Sequence, residues 1–306
     1  MTDMRRLVII AILFLLGGCS EPVSDAGFTT AGNPIALASN YPLYYFADQI
    51  AGGVVDVRLP EIEGDPAGWI PRSDDVGLLQ RADLLILNGA GYESWLSFVT
   101  LPESQLLDTT ATMAERLIPV EDGVIHQHGP AGQHSHTGTA FTTWLDPTLA
   151  VEQARAISGR LSELAPEQQE TFELNLGRLE TRLMELDAAL EDAFAALGGQ
   201  PLIFSHPVYQ YLQRRYGING RSLHWEPDAE PGARDWIEFS NLRSGHPASL
   251  LLWEDQPLEA TVQELTRGGI TSVVFRPVAN RPAEGDFLSE MMANVERLKA
   301  VLVEAP

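Results

Sequence analysis

Four of the chain's seven histidines fall in one short stretch, as His126-x-His128 and His134-x-His136, with Gly129 to Gln133 between the pairs. Imidazole is a borderline ligand that suits zinc, and being largely neutral near pH 7 it meets a cation without an electrostatic penalty. The stretch reads as a metal-capture loop, against the alternative of a solvated loop in which His is merely common. Such a loop must be ordered on binding, so weak capture is expected of it. His206 stands apart. It follows the apolar run Pro201-Leu202-Ile203-Phe204, at the mouth of a predicted parallel sheet, where α/β folds collect ligand groups. It is a ligand or a hydrogen-bonded structural residue. Glu226, in His224-Trp225-Glu226-Pro227, and Glu254, in Trp253-Glu254-Asp255, each follow an apolar stretch and precede turn residues. Carboxylate oxygen binds zinc or manganese well; the other use of such a residue is to cap a helix or pair with Arg276. His224 and Asp65 are lesser candidates.

Catalytic signatures are missing from the sequence. There is no Gly-x-Ser-x-Gly elbow, no His-Glu-x-x-His, and no phosphate-binding glycine loop; Gly89-Ala90-Gly91 lacks the third glycine of a dinucleotide site. The formal net charge is −22, which repels phosphate backbones and argues against nucleic acid as a partner. Most of those carboxylates read as solubilising surface. Cys19 is the only cysteine, so a disulfide framework is impossible.

The elements that must position these groups follow an alternating pattern. Ile35 to Ala38, Val54 to Leu59 and Leu84 to Leu87 read as buried strands, with helices over Tyr41 to Ile50 and Asp74 to Ala82. Strands alternating with helices predict a parallel α/β lobe. Residues 121–138 lack apolar periodicity and read as a loop. Asp146-Pro147 opens a helical stretch, and Pro166 suits the first turn of a longer helix reaching about Leu197. Phe172, Leu176, Leu179, Leu183, Leu186, Leu190 and Phe194 recur at steps of four and three, which lines them along one face. Strands at Leu202, Leu250 and Val273 and helices over Tyr209 to Tyr216, Leu258 to Arg267 and Asp286 to Val303 make a second α/β half. The expected architecture is two α/β lobes joined by one long rigid helix, with a ligand cleft between them: an N-terminal lobe over 35–165, a linking helix over 166–198 and a C-terminal lobe over 199–306.

At the start, Arg5 and Arg6 precede the apolar run Leu7 to Leu16, too short for a bilayer span of about twenty residues. Residues 1–18 are expected to be a cleaved signal peptide. Leu16-Gly17-Gly18-Cys19 resembles the bacterial lipobox, which implies acylation of Cys19 and a lipidated tether over 19–34. Removing Asp3, Arg5 and Arg6 with the signal would take the net charge to −23.

Taken together, Ala38-Ser39-Asn40-Tyr41-Pro42-Leu43, Gly64-Asp65-Pro66, Ala82-Asp83-Leu84-Leu85-Ile86-Leu87-Asn88-Gly89, Trp144-Leu145-Asp146-Pro147 and Ser205-His206-Pro207 carry a resemblance. In their order and spacing the chain resembles the zinc- and manganese-binding solute receptors of ABC importers. The resemblance implies a non-catalytic protein that captures Zn2+ (alternatively Mn2+) and delivers it to an ABC importer permease. It also implies a location on the periplasmic face of a bacterial membrane, held there by a lipid anchor, and a monomer is expected. His206 matches a family ligand, and family members that handle zinc often carry a His-rich loop in this place. Three other family ligand positions hold Ala67, Thr142 and Arg276. Glu254 or Glu226 could stand in for the family's late aspartate, or could neutralise Arg276. An arginine in the cleft would suit a chelated metal or a small organic ligand; a zinc buffer serving no importer is a further alternative.

Overall fold

A computed structural model describes residues 32–120, 125–127, 133–135 and 138–304. The expected signal peptide, Cys19, most of the tether, His128 and His136 lie outside the described residues. His126 and His134 are described only in their backbone.

The first lobe begins with β1 (Ile35–Ala38) and α1 (Tyr41–Ala51). Asn40 starts the helix by accepting the Leu43 N–H at 3.1 Å, Pro42 sits in its first turn, and Gly52 closes it at φ 56°. β2 (Asp56–Arg58), α2 (Ser73–Arg81), β3 (Leu84–Leu87) and β4 (Leu106–Asp108) follow. These strands form one parallel sheet in the order β2-β1-β3-β4. β4 was not foreseen, because Leu106-Leu107 is too short an apolar run to announce a strand.

Within 121–138, expected as a plain loop, the described residues include short strands. β5 (Pro119–Val120) pairs antiparallel with β8 (Gly138–Thr139), and β6 (Ile125–Gln127) pairs antiparallel with β7 (Gln133–Ser135). His126 and His134 are Cα partners across the second pair. Polar strands of three residues carry no hydrophobic alternation, which is why sequence pattern missed them.

α3 (Pro147–Leu164) is capped by Asp146, which accepts the Thr148 N–H at 3.0 Å. α4 (Gln169–Ala195) is the expected long helix, entered through a short turn at Pro166–Gln168. Of its apolar stripe, Phe172, Leu179, Leu183, Leu186, Leu190 and Phe194 are buried and Leu176 is partly buried. One charged residue lies on that face, the buried Asp187. Its carboxylate accepts from Arg215 Nε (2.9 Å) and Nη2 (2.5 Å) and from the Tyr216 hydroxyl (2.9 Å).

The second lobe runs β9 (Leu202–Phe204), α5 (Gln210–Tyr216), β10 (Gly220–Ser222), α6 (Ala233–Gly245), β11 (Leu250–Trp253), α7 (Glu259–Arg267), β12 (Thr271–Val274) and α8 (Phe287–Glu304). Its sheet is also parallel, in the order β10-β9-β11-β12. The two sheets therefore share one topology without an obvious sequence repeat. α4 packs on α1, α3, α5 and α8, so one apolar core runs from the first sheet to the second.

The halves are also joined by hydrogen bonds. Trp144 Nε1 donates to the Pro277 carbonyl (2.8 Å), the Tyr211 hydroxyl to the Ala140 carbonyl (2.8 Å), and the Tyr41 N–H to the Ala279 carbonyl (3.0 Å). Asn280 Nδ2 donates to the carbonyls of Ile62 (2.7 Å) and Gly64 (2.9 Å). Within this crossing segment Val278 takes φ 59°, a conformation a β-branched residue adopts only when its neighbours dictate it. No helix among the described residues is long and apolar enough to cross a membrane.

Candidate metal centre

In each sheet the chain leaves the first strand for one neighbour and then crosses to the other side. The crevice at the carboxyl ends of those central strands is where open α/β sheets hold ligands. The two crevices are filled differently.

In the first lobe, Ser39 and Asn40 follow β1, Asn88 follows β3, and the buried Glu93 closes the space. Its carboxylate accepts the Ser39 hydroxyl (2.6 Å), the Asn88 N–H (2.6 Å) and the Gly89 N–H (3.1 Å). Gln153 Nε2 adds bonds to Asn88 Oδ1 (3.3 Å) and Thr109 Oγ1 (2.9 Å). Burial pushes the Glu93 carboxyl up to about 7, outweighing the hydrogen bonds that favour its charged form. The crevice is a polar plug made by the lobe itself. Gly89 is required beside it: φ is 78°, and a Cβ there would fall 1.9 Å from Asp108 Oδ1.

In the second lobe, His206 leaves β9, Glu254 leaves β11, and Glu226 comes four residues after β10. The backbone ties these ends together: Trp225 N–H donates to Ser205 O (2.8 Å), and Glu254 N–H to Ser205 Oγ (3.4 Å). His206 Nδ1 lies 3.8 Å from Glu226 Oε1 and 3.9 Å from Glu254 Oε1, and one donor atom from each of the three residues lies within 4.8 Å of the others. The histidine is buried and both carboxylates are partly buried. Two carboxylates this close repel by about 3 kcal/mol at an effective dielectric of about 20, so a cation between them relieves the site. Zinc holds neighbouring donors about 3.3 Å apart; small side-chain movements bring the three groups to it. The cluster can coordinate a divalent metal ion.

Two aromatic side chains stand behind the carboxylates. Trp225 and Trp253 are buried in a second apolar cluster with Phe239 and Leu251, their ring centres 6.1 Å apart. α6, which the sequence reading did not foresee, supplies Trp236 and Phe239 against Trp225. The segment after β10 alternates: Leu223 and Trp225 enter this core, while His224 and Glu226 stay outside it. The His224 ring meets His206 edge-on, 5.8 Å between centres at 88°. Partial desolvation lowers the pKa of His224, against the raising pull of Glu238 and Glu226.

The other expected positions resolve as follows. Asp65 caps a short turn, accepting the Ala67 N–H at 3.0 Å, and it is not in the cluster. Ala67 is buried, and the Thr142 hydroxyl donates to the Val208 carbonyl at 2.5 Å. Arg276 corrects an expectation. Its guanidinium binds Asp255 (2.8 Å) and Glu290 (3.0 Å) and not Glu226 or Glu254, because Glu290 comes from α8, two turns before the Arg297 that also holds it. Both cluster carboxylates are thus left facing His206.

The family described as "Zinc-uptake complex component A periplasmic" matches residues 37–301. The chain belongs to this family. Its members are non-catalytic solute-binding proteins. Among its relatives, the chain is 25% identical to zinc-binding lipoprotein AdcA of Streptococcus pneumoniae, over 96% of this chain and 59% of AdcA, so it spans less than two thirds of that relative's length. It is 27% identical to the high-affinity zinc uptake system protein ZnuA of Yersinia pestis, over 85% of this chain and 91% of that one. The fold is that of the Zn(II)-bound ZnuA-like domain of S. pneumoniae AdcA, with TM-score 0.72 at 23% identity over 88% of this chain and 98% of that domain. The lipoprotein YcdH of Bacillus subtilis gives TM-score 0.71 at 21% identity, over 87% and 98% of the two chains. Against the ligand positions expected from the family resemblance, this member keeps His206 and departs at Ala67, Thr142 and Arg276.

Proposed function

We propose that this protein captures a divalent transition metal outside the cytoplasm, zinc foremost and manganese as the alternative, and hands it to the permease of an ABC importer. The observation that carries the reading is the convergence of His206, Glu226 and Glu254 at the carboxyl edge of the second sheet. Imidazole with two carboxylates is a donor set for zinc or manganese. The printed names of relatives, zinc-binding lipoproteins and zinc uptake proteins, support the cargo. Lipoprotein relatives also support attachment of the chain to the cell envelope through Cys19. His126, His128, His134 and His136 serve in this reading as a weaker capture site, and the chain acts as a monomer with lobes over 35–165 and 199–306 about the helix at 166–198. The alternative of a chelated or organic ligand leaned on Arg276, whose charge is met by Asp255 and Glu290.

Zinc titration of the apo protein by competition with a chromophoric chelator tests the proposal. His206→Ala abolishes the tight site, whereas deletion of residues 126–136 removes only weak equivalents. Absence of a tight site in the parent protein, or its survival in His206→Ala, overturns the assignment.

A further inference from the structure

We propose that Thr142 is a positioning residue for the metal site: from the first half of the molecule, its hydroxyl fixes the turn that carries His206. This rests on the reading of His206 as a ligand and adds a residue that holds it without touching the ion.

His206, Pro207 and Val208 form a tight turn, closed by the Val208 N–H on the His206 carbonyl (3.0 Å). Gln210 Nε2 braces its middle through the Pro207 carbonyl (2.6 Å). The far end of the turn is held from the other half, where the buried Thr142 donates its hydroxyl to the Val208 carbonyl (2.5 Å). Thr142 itself stands on a fixed base. Asn88 Nδ2 donates to the Phe141 carbonyl just before it (2.9 Å), and the Thr143 hydroxyl just after it donates to Gln153 Oε1 (3.2 Å). Asn88 is bonded in turn to Glu93, whose carboxylate accepts its N–H (2.6 Å).

A chain of hydrogen bonds therefore runs from the polar plug of the first crevice to the backbone of His206. β9 brings the imidazole from one side, and the first half sets it from the other. Metal donors must be held within about 0.5 Å of their working positions, so a turn loosened at one end costs affinity. The same seam has a second tie that does not reach the turn: the Tyr211 hydroxyl, on α5, donates to the Ala140 carbonyl (2.8 Å). Placing the ligand and joining the halves are thus separable by substitution.

The test compares zinc affinity of the full chain, by competition with a chromophoric chelator, with urea midpoints of the same variants. Thr142→Val removes the hydroxyl with little change of shape and is expected to weaken the tight site about tenfold, the scale on which groups behind metal ligands act. Thr142→Ser keeps a donor and restores the parent affinity. Tyr211→Phe lowers the urea midpoint and leaves the affinity at its parent value. Thr142→Ala, smaller still, takes the place of the valine variant should that not fold. Parent affinity in Thr142→Val, no recovery in Thr142→Ser, or equal weakening in Tyr211→Phe overturns the role of Thr142 and leaves the metal site standing. Absence of a tight site in the parent, or its survival in His206→Ala, overturns the reading of the site and the role of Thr142 with it.

Discussion

Trp225 and Trp253 face each other across 6.1 Å in the core of the second lobe, and each is followed directly by a carboxylate of the candidate metal site. The aromatic pair sets the spacing of Glu226 and Glu254 from behind, on segments that follow β10 and β11, two strands that are not neighbours in the sheet. It holds the carboxylates together against their mutual repulsion.

Trp225→Leu is therefore expected to weaken zinc binding about tenfold, the scale on which groups behind metal ligands act, while every donor stays in place. Competition titration measures this, with urea unfolding run in parallel to separate the accompanying stability loss of about 2–3 kcal/mol. Unchanged affinity would mean the carboxylates keep their places without the indole.

Arg276→Ala should leave zinc affinity within about threefold, since the guanidinium is spent on Asp255 and Glu290 and both ion pairs are partly exposed, worth about 1 kcal/mol or less. Glu290 keeps Arg297 as a partner at 2.7 Å. A large gain in affinity on removing this positive charge would show that Arg276 acts on the ion itself.

Glu93 makes stability depend on pH in an unusual direction. Its carboxyl titrates at about 7 in the fold against 4.5 for the ordinary group, so the folded state binds the extra proton between those values. Stability is highest below about pH 4.5 as far as this group is concerned, declines as pH rises to about 7, and is flat above; the loss is on the order of 3 kcal/mol. Urea midpoints at pH 5 and pH 8 should differ less in Glu93→Gln than in the parent. An equal difference in both would place the titration elsewhere.

Asp187→Ala should cost about 2 kcal/mol or more in chemical denaturation, because it leaves Arg215 and Tyr216 without the buried acceptor they share. Exposure of about a third of Arg215 keeps the loss below that of a fully buried pair. Replacing Arg215 as well, to give Asp187→Leu with Arg215→Met, should recover part of it.

The fold was legible wherever burial imposed a period. The α4 stripe and the apolar runs at β1, β3, β9 and β11 showed both element type and lobe order. Elements that draw their stability from neighbours left no such mark: β10 is Gly-Arg-Ser, and α6 mixes Trp236 and Phe239 with Arg234, Glu238 and Arg243. His206, Glu226 and Glu254 could be nominated because each closes an apolar run, but their meeting depends on β10 and β11 flanking β9. Glu93 and Asp187 gave no signal, since a buried carboxylate and a surface one look alike in sequence. The rescue of Arg276 by Glu290 was hidden for a related reason: the partner lies on a helix fourteen residues further along.

Six of the bonds between the halves run from indole, phenol, hydroxyl, amide and peptide donors to main-chain oxygens, at Pro277, Ala140, Val208, Ala279, Ile62 and Gly64. None of those donors titrates in the physiological range or draws a counterion. For so acidic a chain this separates two responses: added electrolyte quiets the crowded negative exterior and the arginine contacts that also cross, Arg214 to the Arg116 carbonyl, Arg215 beside Asp146 and Arg281 over Tyr41 and Tyr44, while these six neutral bonds feel almost nothing.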